Sequence, residues 1–401
     1  MRPFGSIISL DEAQKQLAAA IRPIERTERV PLTEAAGRVA ATDVVAALFV
    51  PPFARSAMDG FAVVATDTAG ATREHPIGLR VVERIYTGQV PRTTVEPGTC
   101  SEIATGAPMP HGADAVVMVE ETRVQTGRVE ILAAAAPGQN VGRRGADISP
   151  GDLVARRGDL LTPSRIGALA AVGTTDVEVF ARPRVAVLST GNEVVEPGTA
   201  LSGSQIYDVN RFTLSALISN NGGEPQAYKP AMDTLDGLRQ SLDDCSGDDL
   251  IVFSGGSSVG DRDLVVDLIA ERGQMIFHGI AIKPGKPTAF ARIGDTPFFG
   301  MPGNPTSCLS NAYVLLIPFV RAMARLPAHA PRTVQARIGR RIVSPANRHQ
   351  IYTVRLEGSA AYPAFKGSGD ITSLSQADGY IEIPADRSTV EEGEEVVVKL
   401  F

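Results

Sequence analysis

The feature that constrains this chain most is a change of rhythm. Over residues 182–326, short apolar runs alternate with helical patterns. RPRVAVLSTG reads as a strand entering a turn, NRFTLSALISNNGG as a helix ending at glycines, and DDLIVFSGG as a strand. DRDLVVDLIAERG reads as a helix, TPFFGMPGNP as a strand running into a loop, and NPTSCLSNAYVLLIPFVRAMARL as a long helix with a bend expected at Pro318. Such alternation predicts a layered α/β domain with a mostly parallel sheet. Ligands of these sheets bind beyond the carboxyl ends of the strands.

The flanking regions read differently. Residues 28–147 and 327–401 are short β-like runs interrupted by glycine and proline, which marks sharp turns between short strands. A helix is expected over 9–22, opened by a capping box of Ser9 and Glu12, and a second in SRIGALAAVG from Ser164. A lone helix cannot bury its own apolar face. The two pieces are therefore expected to pack together, giving four domains. These are a discontinuous helical domain of 1–27 and 148–181, an inserted β-rich domain of 28–147, an α/β domain of 182–326, and an all-β domain of 327–401.

A chain of 401 residues is too long for one core, which agrees with several domains. The net charge of −6 is ordinary for a soluble protein and argues against a nucleic-acid binder. Cys100, Cys245 and Cys308 are far apart, which fits a reducing compartment rather than a disulfide framework. The five histidines form no cluster with cysteine, so a structural zinc site is not expected. The most apolar stretch, Ala312–Val320, is shorter than a membrane span and contains Pro318. The N-terminus lacks the pattern of an export signal. The expectation is a cytoplasmic protein that engages neither membrane nor nucleic acid.

The chemistry concentrates in glycine-rich turns after three strands of the α/β segment. The first is Ser189-Thr190-Gly191. The second runs from Ser254 to Gly260 and includes Gly255, Gly256 and Ser257. The third runs from Gly300 to Pro305 and includes Pro302, Gly303 and Asn304. Glycine lets backbone N–H groups converge on an anion. Pro305, Thr306 and Ser307 open the long helix, whose first turn also favours an anion. One such turn is as often a connector; three at strand ends favour a phosphorylated ligand.

Lys283-Pro284-Gly285-Lys286-Pro287 sets two ammonium groups on a stiff turn suited to oxyanions, although alone it is equally a surface turn. Asp59, Asp147, Glu193, Asp208, Asp233, Asp261 and Asp263 sit at turns. Carboxylates there are usually caps, but with phosphates they also form Mg²⁺ sites. Spacing does not say which of them meet. There is no GxGxxG, GxxxxGK[ST] or GxSxG, and His278, the histidine nearest these turns, reads as packing or surface.

Taken in order, the segments Pro51-Pro52-Phe53, Ser56–Val63, Thr105-Gly106-Ala107, Gly112–Val117, Arg144–Ile148, Ser189–Glu193, Ile206–Asn210, Ser254-Gly255-Gly256, Lys283–Pro287 and Pro302–Pro305 resemble the MoeA family. These are molybdopterin molybdenumtransferases, related to the C-terminal enzyme domain of gephyrin. The resemblance covers essentially the whole chain. It implies an elongated four-domain subunit with a three-layer α/β/α molybdopterin-binding domain, a β-rich inserted domain and a barrel-like C-terminal domain.

It also implies a homodimer with active sites between subunits, where molybdate is inserted into adenylated molybdopterin with metal-dependent release of AMP. Asp59, Asp147, Glu193, Asp233, Asp263, Lys283 and Lys286 carry over as catalytic. Asp233, Asp263 and Glu193 are the Mg²⁺ set. Thr105, Ser189, Thr190, Gly191, Asp208, Gly255, Gly256, Ser257, Pro302, Gly303, Asn304, Pro305 and Ser373 carry over as ligand-binding. A molybdopterin adenylyltransferase and molybdoenzyme-maturation proteins are the implied partners.

Two features depart from the family pattern. A lysine that some members carry before the KPGKP run is absent here, unless His278 replaces it. Ser257 also changes the usual GGVSVGxxD form. Two rival functions are molybdopterin adenylation and a gephyrin-like assembly scaffold.

Overall fold

The computed structural model describes residues 7–255 and 264–401. The chain forms two compact units. One is built around Glu178–Phe401 with the N-terminal segment up to Glu28 and the short piece Gly37–Val39; the other comprises Arg29–Ala36 and Ala40–Val177.

The α/β part of the first unit has a six-stranded sheet. Its spatial order is Glu224–Ala227, Arg184–Ser189, Leu250–Ser254, Thr296–Met301, Ala289–Ile293, Gln274–His278. The first four strands are parallel, and the fifth runs antiparallel to both of its neighbours. Side chains of a strand alternate between faces, and the core divides accordingly. Val185, Val187, Leu250 and Val252 face one apolar layer with Leu214, Phe290 and Phe319. Ala186, Leu188, Ile251 and Phe253 face a second with Leu238, Val265 and Leu268. Helices therefore cover both faces, and this is the three-layer α/β/α arrangement expected.

The long helix spans Pro305–Met323 and passes through a π-helical stretch at Ala312–Leu316, just before Pro318. It is long and apolar enough to pass for a membrane span, contrary to the sequence reading, but it is mostly buried in the protein. Core packing accounts for its composition.

The first helix, Leu10–Ala20, corrects the expected domain pairing. Leu10, Ala13 and Leu17 belong to the same core layer as Val185 and Phe319. Residues 163–171 lie in the other unit. The helix offers only a narrow apolar stripe, and the sheet's helical layer supplies a larger surface to bury it.

The C-terminal strands His349–Glu357, Ala360–Pro363, Thr333–Ile338, Glu395–Leu400 and Gly379–Ile383 pair in that order, and the last returns to the first. They form a closed five-stranded barrel around Ala336, Val354, Ile381 and Val398. Ile282–Lys283 adds to its rim in parallel register, Ile282 opposite His349 and Lys283 opposite Gln350. The second unit carries a six-stranded sheet, with Phe61, Val63 and Val117 on one face and Ala62, Ile103 and Val116 on the other.

Candidate active site

Three parallel strands end in register at Ser189, Ser254 and Met301. The glycine turns that follow them therefore emerge side by side. The strand holding Ser189 has neighbours to which the chain departs in opposite directions, so this edge is the switch point at which α/β sheets bind ligands. Gly255 has φ +95°, and a side chain on it would begin 2.5 Å from the Thr190 carbonyl oxygen. Only glycine lets the two turns approach this closely.

The turns floor a cleft of about 1820 Å³. That exceeds the roughly 300–1,000 Å³ of a drug-sized pocket and suits a ligand of two linked parts. Ser189, Thr190, Gly191, Glu193, Asp208, Asp233, Gly255, Lys283, Lys286, Pro302, Gly303, Asn304 and Pro305 all line it. Gly256, Ser257, Asp261 and Asp263 lie outside the described residues.

A buried polar network stiffens the floor. Ser189 Oγ donates to Asp208 Oδ1 at 2.7 Å and lies 3.1 Å from Ser254 Oγ. Asp208 Oδ1 also accepts from the Arg211 backbone N–H, capping the helix Asn210–Asn220. Asp208 Oδ2 is 3.3 Å from Arg211 Nε. The Arg211 guanidinium donates further to the Tyr228 carbonyl and to Glu196. Asn210 Nδ2 donates to the Gly303 carbonyl at 2.8 Å, tying this helix to the third turn.

The carboxylates stand at different depths. Asp208 is buried and its Oδ1 is bonded within the floor, so its role is structural support for the cleft. Glu193 is exposed and its carboxylate lies against Gly191. The Thr190–Ala231 bridge brings the Asp233 segment to the first turn, where the Asp233 N–H donates to Asn192 Oδ1. Among the described residues no group of three or more His, Cys, Asp or Glu could hold a metal. Mg²⁺ commonly takes only one or two protein carboxylates together with substrate phosphates. Glu193 and Asp233 fit such substrate-dependent binding rather than a preformed metal cage.

The helix start does not serve as an anion site. The N–H groups of Thr306 and Ser307 donate to the Ser368 carbonyl at 3.1 and 3.4 Å, and Asn304 Nδ2 donates to Ser368 Oγ. The loop from the barrel thus satisfies the amides that the sequence offered to a ligand. Ser373, expected on the pterin side, is fully buried and does not line the cleft. Its Oγ accepts from the Lys366 N–H, which shapes that same loop.

The barrel also supplies residues that sequence reading missed. Arg348, Phe365, Lys366, Gly369 and Ile371 line the cleft. Arg348 is exposed and Lys366 Nζ donates to Thr372 Oγ1. His278 lies on the edge strand and is not a cleft residue. Among the described residues the cleft therefore holds four cations, Lys283, Lys286, Arg348 and Lys366, without a contribution from that histidine. No motif marks Arg348 or Lys366, since each stands in an ordinary turn.

Asp59, Thr105 and Asp147 lie in the second unit. Asp59 Oδ1 accepts from the Thr105 N–H at 2.8 Å. The Ser56 and Ala57 N–H groups bond the Ala107 and Asn140 carbonyls, and the Asp147 N–H bonds the Val50 carbonyl. Three sequence-distant segments thereby converge on one edge of that unit.

A switch-point cleft lined by both carboxylates and lysines marks a ligand-binding α/β domain of the kind that holds charged ligands at its strand ends. Three family models match in order: the MoeA N-terminal region (domains I and II) over residues 8–173, a probable molybdopterin-binding domain over 186–322, and the MoeA C-terminal region (domain IV) over 335–401. The chain belongs to the MoeA family of molybdopterin molybdenumtransferases. It is 36% identical to molybdopterin molybdenumtransferase 2 of Mycobacterium tuberculosis, over 97% of this chain and 98% of that one. The Nostoc molybdopterin molybdenumtransferase is 34% identical over 93% and 88% of the two chains. A crystal structure of the molybdopterin biosynthesis MoeA protein from Pyrococcus horikoshii aligns over 98% of this chain and 99% of that chain, at TM-score 0.85 and 38% identity.

Proposed function

We propose that this cleft binds adenylated molybdopterin and that the protein inserts molybdate into it, releasing AMP and completing the molybdenum cofactor. The observation that carries this reading is the shared cleft of Glu193, Asp233, Lys283 and Lys286 at strand ends held in register. Water cleaves the phosphoanhydride, AMP leaves and the phosphate stays on the pterin, while the two dithiolene sulfurs bond to molybdenum and one molybdate oxygen departs as water with the two thiol protons.

Glu193 and Asp233, joined by Asp263, are the residues that would hold Mg²⁺. When bound, that ion neutralises phosphate charge as the anhydride breaks. The protein's own part is to orient the pyrophosphate over the glycine turns and to exclude the strong solvation of the incoming dianion. Lys283 and Lys286 provide fixed positive charge for molybdate, offsetting lost hydration without large reorganisation. Arg348 and Lys366 extend that field toward the substrate's phosphates.

A second copy of the chain completes the site in this reading, contributing Asp59, Thr105 and Asp147. Their convergence on one edge of the inserted domain, remote in sequence from the cleft residues, supports it. A reducing, cytoplasmic setting is part of the same proposal, supported by three buried, unpaired cysteines. So is transfer from a molybdopterin adenylyltransferase and onward to molybdoenzyme-maturation proteins.

The test is AMP release from adenylated molybdopterin at varied molybdate, set against pyrophosphate release from unmodified molybdopterin with ATP, the product that adenylyl transfer would liberate. Activity is expected only with the adenylated substrate; turnover of the unmodified pterin with ATP would overturn the assignment in favour of adenylation, and no turnover of either would favour a scaffold. Lys283→Ala should raise half-saturating molybdate about tenfold, as for loss of one charge-assisted contact, with a smaller effect on the pterin. Asp233→Asn should raise the Mg²⁺ requirement; an unchanged Mg²⁺ titration would remove Asp233 from the metal set.

A further inference from the structure

The lysine turn is held by residues that never reach the cleft. Asn311, at the end of the helix Pro305–Asn311, is fully buried. Its Nδ2 donates to the Gly285 carbonyl at 2.9 Å and to Thr288 Oγ1 at 2.6 Å. Thr288 Oγ1, also fully buried, donates in turn to the Gly285 carbonyl at 2.9 Å. The neck of the turn is closed by the Ile280 N–H on the Lys286 carbonyl and the Gly279 N–H on the Thr288 carbonyl. Gly285 has φ +99°, and a side chain there would begin 2.2 Å from Asn311 Nδ2. The turn is therefore pressed onto the amide at the one residue that permits it.

We propose that Asn311, with Thr288, is a positioning residue for Lys283 and Lys286, acting on the reaction only through the lysine turn. The surroundings of Asn311 argue against a packing role. Cys308, Ala312 and Leu315 on the same helical run are buried apolar residues, and among the described residues its Oδ1 has no hydrogen-bond partner. A buried unpaired acceptor is costly, so an apolar side chain would suit the core better. What the amide contributes is a double grip on the carbonyl that lies between the two lysines. Lysine is a point charge on a flexible stem, so its aim depends on the backbone that carries it. Displacement of such a group by about 1 Å is enough to cost as much as ~100-fold in rate.

This inference rests on the reading that Lys283 serves molybdate, and a double-mutant cycle separates the two. AMP release by the full-length protein is measured against molybdate and against adenylated molybdopterin for the wild type, Asn311→Ala, Lys283→Ala and the double variant. Asn311→Ala should raise half-saturating molybdate by about tenfold, comparable to losing the lysine itself. In the Lys283→Ala background it should add less than about twofold, because coupled residues do not act additively. Effects of the two substitutions that multiply would overturn the inference. So would equal loss on both substrate dependences together with a lowered unfolding midpoint, which is the signature of a merely structural residue.

If Lys283→Ala leaves molybdate dependence unchanged, the molybdate reading fails. The coupling is then read on whichever dependence Lys283→Ala does shift. Where Asn311→Ala folds poorly, Thr288 decides: Thr288→Ser should behave as wild type and Thr288→Val should reproduce the molybdate defect. Matching behaviour of those two variants would overturn the proposal.

Discussion

The α/β layer and the C-terminal barrel both line the cleft, but they contribute in different ways. The α/β residues are bound into the frame. Ser189, Asp208 and Arg211 are buried and bonded to one another, and Gly255 and Gly285 sit where a side chain would collide with its neighbour. The barrel offers Arg348, which is exposed and, among the described residues, has no ion-pair or hydrogen-bond partner in the chain, and a loop whose Ser368 carbonyl caps the long helix. One part builds the cleft; the other adds charge to it. Substitutions should therefore separate along this line, with stability falling in the first and ligand affinity in the second.

The largest expected effect is on Asp208. Asp208→Ala leaves Arg211 buried beside Glu196 alone, and removes the cap of the helix Asn210–Asn220 and the acceptor for Ser189. Breaking one side of a buried pair costs about 3–5 kcal/mol. Denaturant unfolding should show a loss of that order. A loss under about 1 kcal/mol would mean that the floor is not held by this network.

Arg348→Ala should do the opposite. With no partner to lose among the described residues, stability should change by no more than about 0.5 kcal/mol. Half-saturation by adenylated molybdopterin should rise about tenfold, as for one hydrogen bond to a charged group. Equal stability and affinity losses would erase the distinction between frame and added charge.

The same difference decides what could be read from the sequence. The strand-end turns were legible because close backbone approach, as at Gly255, demands glycine, and a demand on backbone geometry leaves a residue type behind. Asp208 was found as a ligand residue, but its engagement with Arg211 needed the helix that follows it. Arg348 and Lys366 were not legible, since an exposed cation in a turn is the commonest of surface residues. The helix-start amides of Thr306 and Ser307 were misread for a related reason. Their local sequence is that of an anion site, and the carbonyl that takes them comes from Ser368, sixty residues downstream and beyond any local pattern. The first helix failed likewise: its stripe of Leu10, Ala13 and Leu17 is plain, but nothing in it says which surface it covers.

The smallest effect sharpens the comparison inside the barrel. Glu382 accepts from Lys399 Nζ at 2.5 Å and lies 3.2 Å from His349 Nε2. The hydrogen bond with His349, opposed by burial and reinforced by Lys399, lowers its carboxyl to about 2, against an ordinary value of about 4.3. A carboxyl depressed on folding stabilises the protein above its unfolded pKa, and that stability is lost as pH falls toward the folded one. Glu382→Gln should thus be less stable at neutral pH by about 1 kcal/mol, a modest figure because the side chain is partly open to solvent. The deficit should close between about pH 4 and pH 2, where the wild type loses its advantage and the variant has none to lose. His349 belongs to the strand paired with Ile282–Lys283 and directly follows Arg348, so loosening this contact should reach the cleft only weakly. Unfolding curves across that pH range check the first point and AMP release at neutral pH the second. A deficit that persists unchanged to pH 2 would show that Glu382 acts by packing rather than by charge.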